Sequence, residues 1–229
     1  NQYRNPLEEM RRLLTDASKA QWKPPVLNKD QQRIAANICE KYDNGDRKPC
    51  LIHGITGSGK TEVYMELISH VIRAGKQVIL LIPEISLTYQ TVMRFFARFG
   101  NRVSIINSRL SNGERYDQFE RAKNGDIDIM IGPRSALFTP FSNLGLIIID
   151  EEHDASYKSE SNPKYDAKQV ATYMAEQNNC PLLLGSATPD INTYYKANEL
   201  KEIELLKLTK RANNSELPKV EIIDLKQEL

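Results

Sequence analysis

The sequence predicts an α/β chain built on a doubly wound, mostly parallel sheet with helices on both faces. Three observations carry that expectation. Short apolar runs alternate with amphipathic stretches of helical length. A glycine-rich loop with phosphate-binding spacing joins the first of those runs to a helical stretch. A later apolar run ends in a cluster of acids, as at the carboxyl edge of a buried strand.

The elements follow in order. Residues 1–25 read as a linker or the tail of an upstream domain; Pro6 and LEEMRRLL allow one short helix, which Lys23-Pro24-Pro25 breaks. From Asn28, a polar N-cap, a helix places Ile34, Ala35 and Ile38 on one face, and Gly45 and Pro49 end it. Apolar runs at 50–52, 78–82, 103–106, 127–131, 146–149 and 182–184 are continuous rather than alternating. Such runs suit strands buried on both faces. Stretches at 62–73, 87–99, 114–123 and 167–177 supply the crossover helices. Residues 156–163 form a polar loop long enough to be functional. One strand-like run, 220–225, follows near the end.

Composition sets the bounds. A chain of 229 residues, 40% hydrophobic and 27% charged, can bury a core without disulfides or metal staples. Thirty-one basic residues against 30 acidic ones give a net charge of +1, which excludes a polycation or an acidic tail protein. A local basic stripe remains compatible with that total. Cys39, Cys50 and Cys180 are odd in number and form no CxxC pair, against a disulfide scaffold or a Cys-rich zinc site. The apolar runs fall well short of the roughly 20 residues that span a membrane. No signal peptide opens the chain, which begins with Asn1 and reads as an excised fragment of a cytoplasmic protein.

Gly54-Ile55-Thr56-Gly57-Ser58-Gly59-Lys60-Thr61 fits G-x-x-x-x-G-K-[ST] between an expected strand and an expected helix. Glycines let successive backbone N–H groups point at phosphate oxygens, and the helix N-terminus adds positive potential. Lys60 is expected at the β- and γ-phosphates of ATP and Thr61 at Mg²⁺. Asp150, at the end of an apolar strand, would hold the Mg²⁺ shell, and Glu151 would polarise the attacking water. His153 has no second ligand at metal spacing and suits a coupling contact. Ser186 and Thr188 follow another strand at the same carboxyl edge and are expected to share the coupling role with His153.

GITGSGKT, PEISLT, DEEH and GSATP, in this order and spacing, resemble a superfamily 2 helicase. More narrowly, LNKDQ, GSGKTEVYMELI, PEISLT, SNGERYDQF, GPRSALFTPF and IIIDEEHDASYKSE resemble PriA-type primosomal helicases, which restart stalled replication forks. The resemblance covers residues 26–229 and implies the first RecA-like lobe of a two-lobe motor. It implies that Gln31 reads adenine, and that Pro83, Thr88, Arg134 and Ser135 touch single-stranded DNA. Tyr157, Lys158, Lys164 and Tyr165 fall in the family's aromatic-rich coupling loop, which is expected to order only on a ligand. Forked DNA, a second RecA-like lobe, primosome proteins and single-stranded DNA-binding protein are the implied partners, with no membrane. Polarity of 3′→5′ is implied likewise, and zinc only for a downstream part of the full-length protein. Departures from the family pattern are Pro133 in place of Thr, Asn107 in place of His, and Lys164 and Lys168 in place of Arg.

Two other readings stay open at this level. A small-molecule P-loop kinase would need an acceptor pocket and an Arg-rich lid, which DEEH and SAT do not suggest. A nucleotide-, DNA- or partner-binding fragment without turnover is the other, and within the helicase resemblance another superfamily 2 translocase also stays open. No second RecA-like set follows within 229 residues to supply an arginine finger.

Overall fold

The computed structural model describes residues 26–212, so the expected helix after Pro6 and the run at 220–225 lie outside the described residues. Seven strands form one sheet among the described residues. They are β1 (Cys50–Gly54), β2 (Gln77–Leu81), β3 (Val103–Ile105), β4 (Ile129–Gly132), β5 (Leu144–Ile149), β6 (Leu182–Ser186) and β7 (Glu204–Leu208). The order is β3-β4-β2-β5-β6-β1-β7, and every pairing is parallel. The helices are α1 (Lys29–Asp43), α2 (Lys60–Arg73), α3 (Tyr89–Phe99), α4 (Asn112–Lys123), α5 (Ala167–Gln177) and α6 (Ile191–Asn198). The doubly wound expectation holds.

Period-2 alternation divides the strands between two cores. Ile52, Leu80 and Ile148 face one side, where Ile34 of α1, Ile68 of α2 and Phe95 of α3 pack on them. Leu51, Leu81 and Ile149 face the other, with Ala122 of α4, Ala171 of α5 and Ala197 of α6. Helix α5 buries Ala167, Ala171 and Ala175, four residues apart, so its backbone lies close to the sheet. Burial on both faces explains why the central strands read as unbroken apolar runs.

Capping residues set the helix starts. Asn28 accepts from Gln31 N and closes a capping box, as the sequence suggested. Thr88, Ser111, Asp166 and Asp190 cap α3, α4, α5 and α6 with side-chain oxygens. Sequence reading started α3 at 87, one residue before its cap. It missed α6 and β7 altogether. Helix α6 is two turns long and buries only Thr193 and Ala197, with Ile191 and Tyr195 exposed, and β7 is an edge strand whose ELLKL is only partly buried.

Glu152 ties the layers together. It is fully buried at the carboxyl end of β5. Its Oε2 accepts from Lys168 Nζ of α5 at 3.0 Å and from Thr193 Oγ1 of α6 at 3.0 Å. Its Oε1 accepts from Asp190 N at 2.7 Å. A buried charge stripped of its partner is costly, so Lys168→Ala, which leaves the Glu152 carboxylate buried without its cation, should lower unfolding free energy by about 3–5 kcal/mol. Urea denaturation at neutral pH measures this, and a loss under about 1 kcal/mol would show that the hub carries little.

Candidate nucleotide site and the strand edge beside it

The phosphate loop leaves β1 and enters α2. Gly57 and Gly59 sit at φ 79° and 80°, where a side chain is strained. A Cβ on Gly59 would also stand 2.1 Å from Gln31 Nε2. Helix α2 has Gly59 as its N-cap and no side-chain cap, unlike the other five α-helices among the described residues. Its first N–H groups are therefore left for an anion. Lys60 is buried, donates to Gly54 O at 3.1 Å and lies 3.5 Å from Glu151 Oε1. Ser58 Oγ is buried beside it without a protein partner. A cleft of about 350 Å³ opens here, lined by Thr56 to Thr61, Glu62, Arg94, Asp150 and Glu151. Backbone donors, one lysine, the Thr61 hydroxyl and the Asp150 carboxylate lining one cleft form a donor set that fits a magnesium nucleotide.

The acids come from the turn after β5. Asp150 N donates to Leu81 O and Glu152 N to Gly185 O, so the turn is pinned to both neighbouring strands. Glu151 between them takes φ 47°, in the left-handed region. That reversal sends the side chains apart. Asp150 Oδ1 accepts from Tyr64 Oη at 2.9 Å. Glu151 lies between Lys60 and His153, with its Oε2 3.7 Å from His153 Nδ1. His153 meets Ser186 Oγ at 2.7 Å and Thr188 Oγ1 at 3.3 Å. The three expected coupling residues are thus in mutual contact. Glu152 points into its hub and cannot serve as a base.

Gln31 departs from expectation. It is buried under the loop, its Oε1 accepting from Asn28 N and its Nε2 donating to Ser58 O at 2.9 Å. Both ends of the amide hold protein groups, so here it braces the phosphate loop and does not present an edge to adenine.

The residues expected at DNA follow β2, β4 and β5. Pro83 is buried and opens a 3-10 turn, while Thr88 is exposed and spends its hydroxyl on the α3 cap. Arg134 Nη1 donates to Ser156 O at 2.8 Å and Lys158 O at 3.1 Å; Ser135 sits half-buried beside it. Lys158 and Lys164 are exposed. Tyr165 packs edge-on against Phe138, centroids 5.4 Å apart.

Tyr157 corrects the sequence reading. It is 1% exposed and donates to Asp150 O at 2.6 Å, which leaves no face for a base. The loop is not a free tether either. Ser159 N donates to Tyr165 O, Lys158 bridges to Asp166, and Arg134 clasps two of its carbonyls. An aromatic ring outweighed the polar residues around it.

Several residues escaped the sequence reading. Arg94 and Arg98 of α3 pair with Glu62 and Glu66 of α2, tying the two helices together. The matched spacing of four on both helices was the available signal. Ile85, 96% exposed in the turn after β2, and buried Tyr64 carried no such signal.

Burial, followed by the charge of Glu151, raises the Asp150 carboxyl from 3.8 to about 6, with Lys60 and Tyr64 opposing. The folded value exceeds the unfolded one. The stability this group contributes is therefore full below about pH 4 and lost as pH rises through about 6. In buffer without divalent cation, Asp150→Asn should gain on the parent protein by about 1–3 kcal/mol between pH 4 and pH 7. Urea unfolding at the two pH values checks this, and a constant difference would contradict the assigned burial.

The family model described as "Type III restriction enzyme, res subunit" matches residues 25–191. Replication restart protein PriA of Bacillus subtilis (strain 168) is 47% identical over 206 residues, 90% of this chain and 26% of that protein. Its counterpart in Chlamydia trachomatis serovar D is 44% identical over 207 residues, covering 90% and 27%. The chain thus spans about a quarter of the length of these relatives. RecG bound to a three-way DNA junction superposes with a TM-score of 0.60 at 24% identity, over 89% of this chain and 25% of that one. The Pyrococcus furiosus Hef helicase domain gives 0.54 at 21%, over 77% and 37%. These likenesses establish the RecA-like fold, and the resemblance read from the motifs is borne out as similarity along most of the chain. Among the described residues no helix is long and apolar enough to cross a membrane. On its family match, the chain belongs to the family described as type III restriction enzyme, res subunit, and it is similar within that breadth to the replication restart proteins.

Proposed function

We propose that this chain is the ATP-binding lobe of a PriA-type DNA helicase, coupling ATP hydrolysis to movement on single-stranded DNA. The reading extends to forked DNA, 3′→5′ polarity and primosome assembly with single-stranded DNA-binding protein, by similarity to the replication restart relatives. The single observation that carries it is the contact chain Lys60, Glu151, His153, Ser186 and Thr188 across the carboxyl edge. It links a phosphate loop to groups at the end of a different strand.

Bound Mg²⁺ would neutralise phosphate charge, with Thr61 and Asp150 as its holders. Glu151 orients and polarises the attacking water. Lys60, now shared between Gly54 O and Glu151, turns to phosphate oxygens. Pro83, Thr88, Arg134, Ser135, Lys158, Lys164 and Tyr165 lie on turns after β2, β4 and β5, where a single strand would pass. Phosphate contacts there are salt-sensitive and sequence-independent.

Turnover by this chain alone is expected to be low. Arg94, which lines the cleft, is paired with Glu62. An arginine finger from a second lobe is worth about 10³–10⁵ in rate. Hydrolysis of ATP by this chain and by a two-lobe protein, each with and without single-stranded DNA, tests the reading. DNA-stimulated turnover in the two-lobe protein supports it; no stimulation at low salt contradicts it. Lys60→Ala should weaken Mg–ATP binding at least about tenfold by calorimetry while circular dichroism is unchanged. Glu151→Gln should keep binding and lower two-lobe turnover by about 10²–10⁴. Near-normal turnover would remove Glu151 as the base.

A further inference from the structure

Tyr64 falls within GSGKTEVYMELI, Asp150 within DEEH and Gly185 within GSATP, and the reading of those motifs assigns no role to the contact among the three. Tyr64 lies on α2 three residues after Thr61, hence on the same helical face. It is 1% exposed, and its hydroxyl donates to Asp150 Oδ1 at 2.9 Å. Gly185 of β6 makes room for it. A Cβ on Gly185 would lie 1.6 Å from the Tyr64 hydroxyl, 2.8 Å from its Cζ and 3.3 Å from Asp150 Oδ1. The carbonyl of Gly185 in turn accepts from Glu152 N. One glycine thus touches both the tyrosine that holds Asp150 and the backbone that follows it.

We propose that Tyr64 is the positioning residue for Asp150, fixing its carboxylate for the metal, and that position 185 is glycine to admit the tyrosine hydroxyl. The proposal rests on the reading of Asp150 as a holder of Mg²⁺. A carboxylate has two oxygens and about four acceptor sites. The phenol takes one site on Oδ1 and fixes the carboxylate plane, so that Oδ2 is left for the metal shell. Such outer partners govern the affinity of the ligands they hold. Because Tyr64 and Thr61 share a helix, the two proposed metal-holding groups are set in register by one rigid element. Because Gly185 belongs to β6, displacement of Ser186 and Thr188 reaches Asp150 through the same contact.

The test is ADP binding to this chain by calorimetry over a series of Mg²⁺ concentrations. Asp150→Asn should abolish the dependence on Mg²⁺. Tyr64→Phe should raise the Mg²⁺ needed for half the effect about tenfold while ADP affinity without Mg²⁺ stays unchanged. Gly185→Ala should do the same by displacing the hydroxyl, and should add less than its own effect when placed on Tyr64→Phe. Should Gly185→Ala fail to fold, Tyr64→Phe alone decides. Normal Mg²⁺ dependence in Tyr64→Phe, with a lowered melting temperature only, overturns the proposal and leaves the metal reading intact. Unaltered Mg²⁺ dependence in Asp150→Asn overturns the metal reading and this proposal with it.

Discussion

The reversal at Glu151 is the constraint on which the rest of the site depends. A strand that ran on regularly would alternate its side chains between the two faces of the sheet. The left-handed φ of 47° breaks that alternation. Four consecutive residues then reach four destinations. Asp150 meets the helix of the phosphate loop, Glu151 the loop lysine, Glu152 the buried hub, and His153 the end of β6. A non-glycine residue in this conformation is costly, on the order of 1 kcal/mol or more, and persists only where surroundings over-determine it. Here the bonds of Asp150 N to β2 and of Glu152 N to β6 do so.

The strand order turns that local geometry into a divided edge. In the sequence β3-β4-β2-β5-β6-β1-β7, β6 lies between the strand of the acids and the strand of the phosphate loop. Ser186 and Thr188 are therefore placed between the two halves of the nucleotide site. On the other side of β5 come β2, β4 and β3, whose terminal turns carry Pro83, Thr88 and Arg134. Glu84 fastens the turn after β2 to Ser108, beyond β3, and Arg134 fastens the turn after β4 to the loop at 156–158. Helix α3, which begins at Thr88, returns to the phosphate-loop helix through Arg94 and Arg98. The two halves of the edge are thus mechanically joined at the acid turn and at the α2–α3 face.

Much of this was legible in the sequence. Mostly apolar runs gave six of the seven described strands, because burial on both faces admits few polar positions, and those present, Ser104 and Asp128, are paired with Gln118 and Arg102. The phosphate loop, the acids and the His153–Ser186–Thr188 group were identifiable because their chemistry demands particular residues at particular spacings. What was not legible depended on tertiary neighbours. Tyr157 and Tyr64 are both tyrosines near polar residues, and nothing local says that each drives its hydroxyl inward to the same aspartate. Gln31 reads as a base contact by resemblance, yet its amide is consumed by Asn28 and Ser58. The mostly exposed α6 and the edge strand β7 were missed because neither buries enough of its length to show a period.

On the proposed reading, occupancy of the phosphate loop is felt at His153 through Glu151. The chain has three histidines, so their ring nitrogens can be followed individually by nuclear magnetic resonance. Mg–ADP added to the chain should shift the Nδ1 and Nε2 signals of His153, as Lys60 turns from Glu151 to phosphate. His70, held by Asp43 on the far side of α2, should not move. Nucleotide binding that leaves the His153 signals in place, or that moves all three histidines alike, would contradict the account.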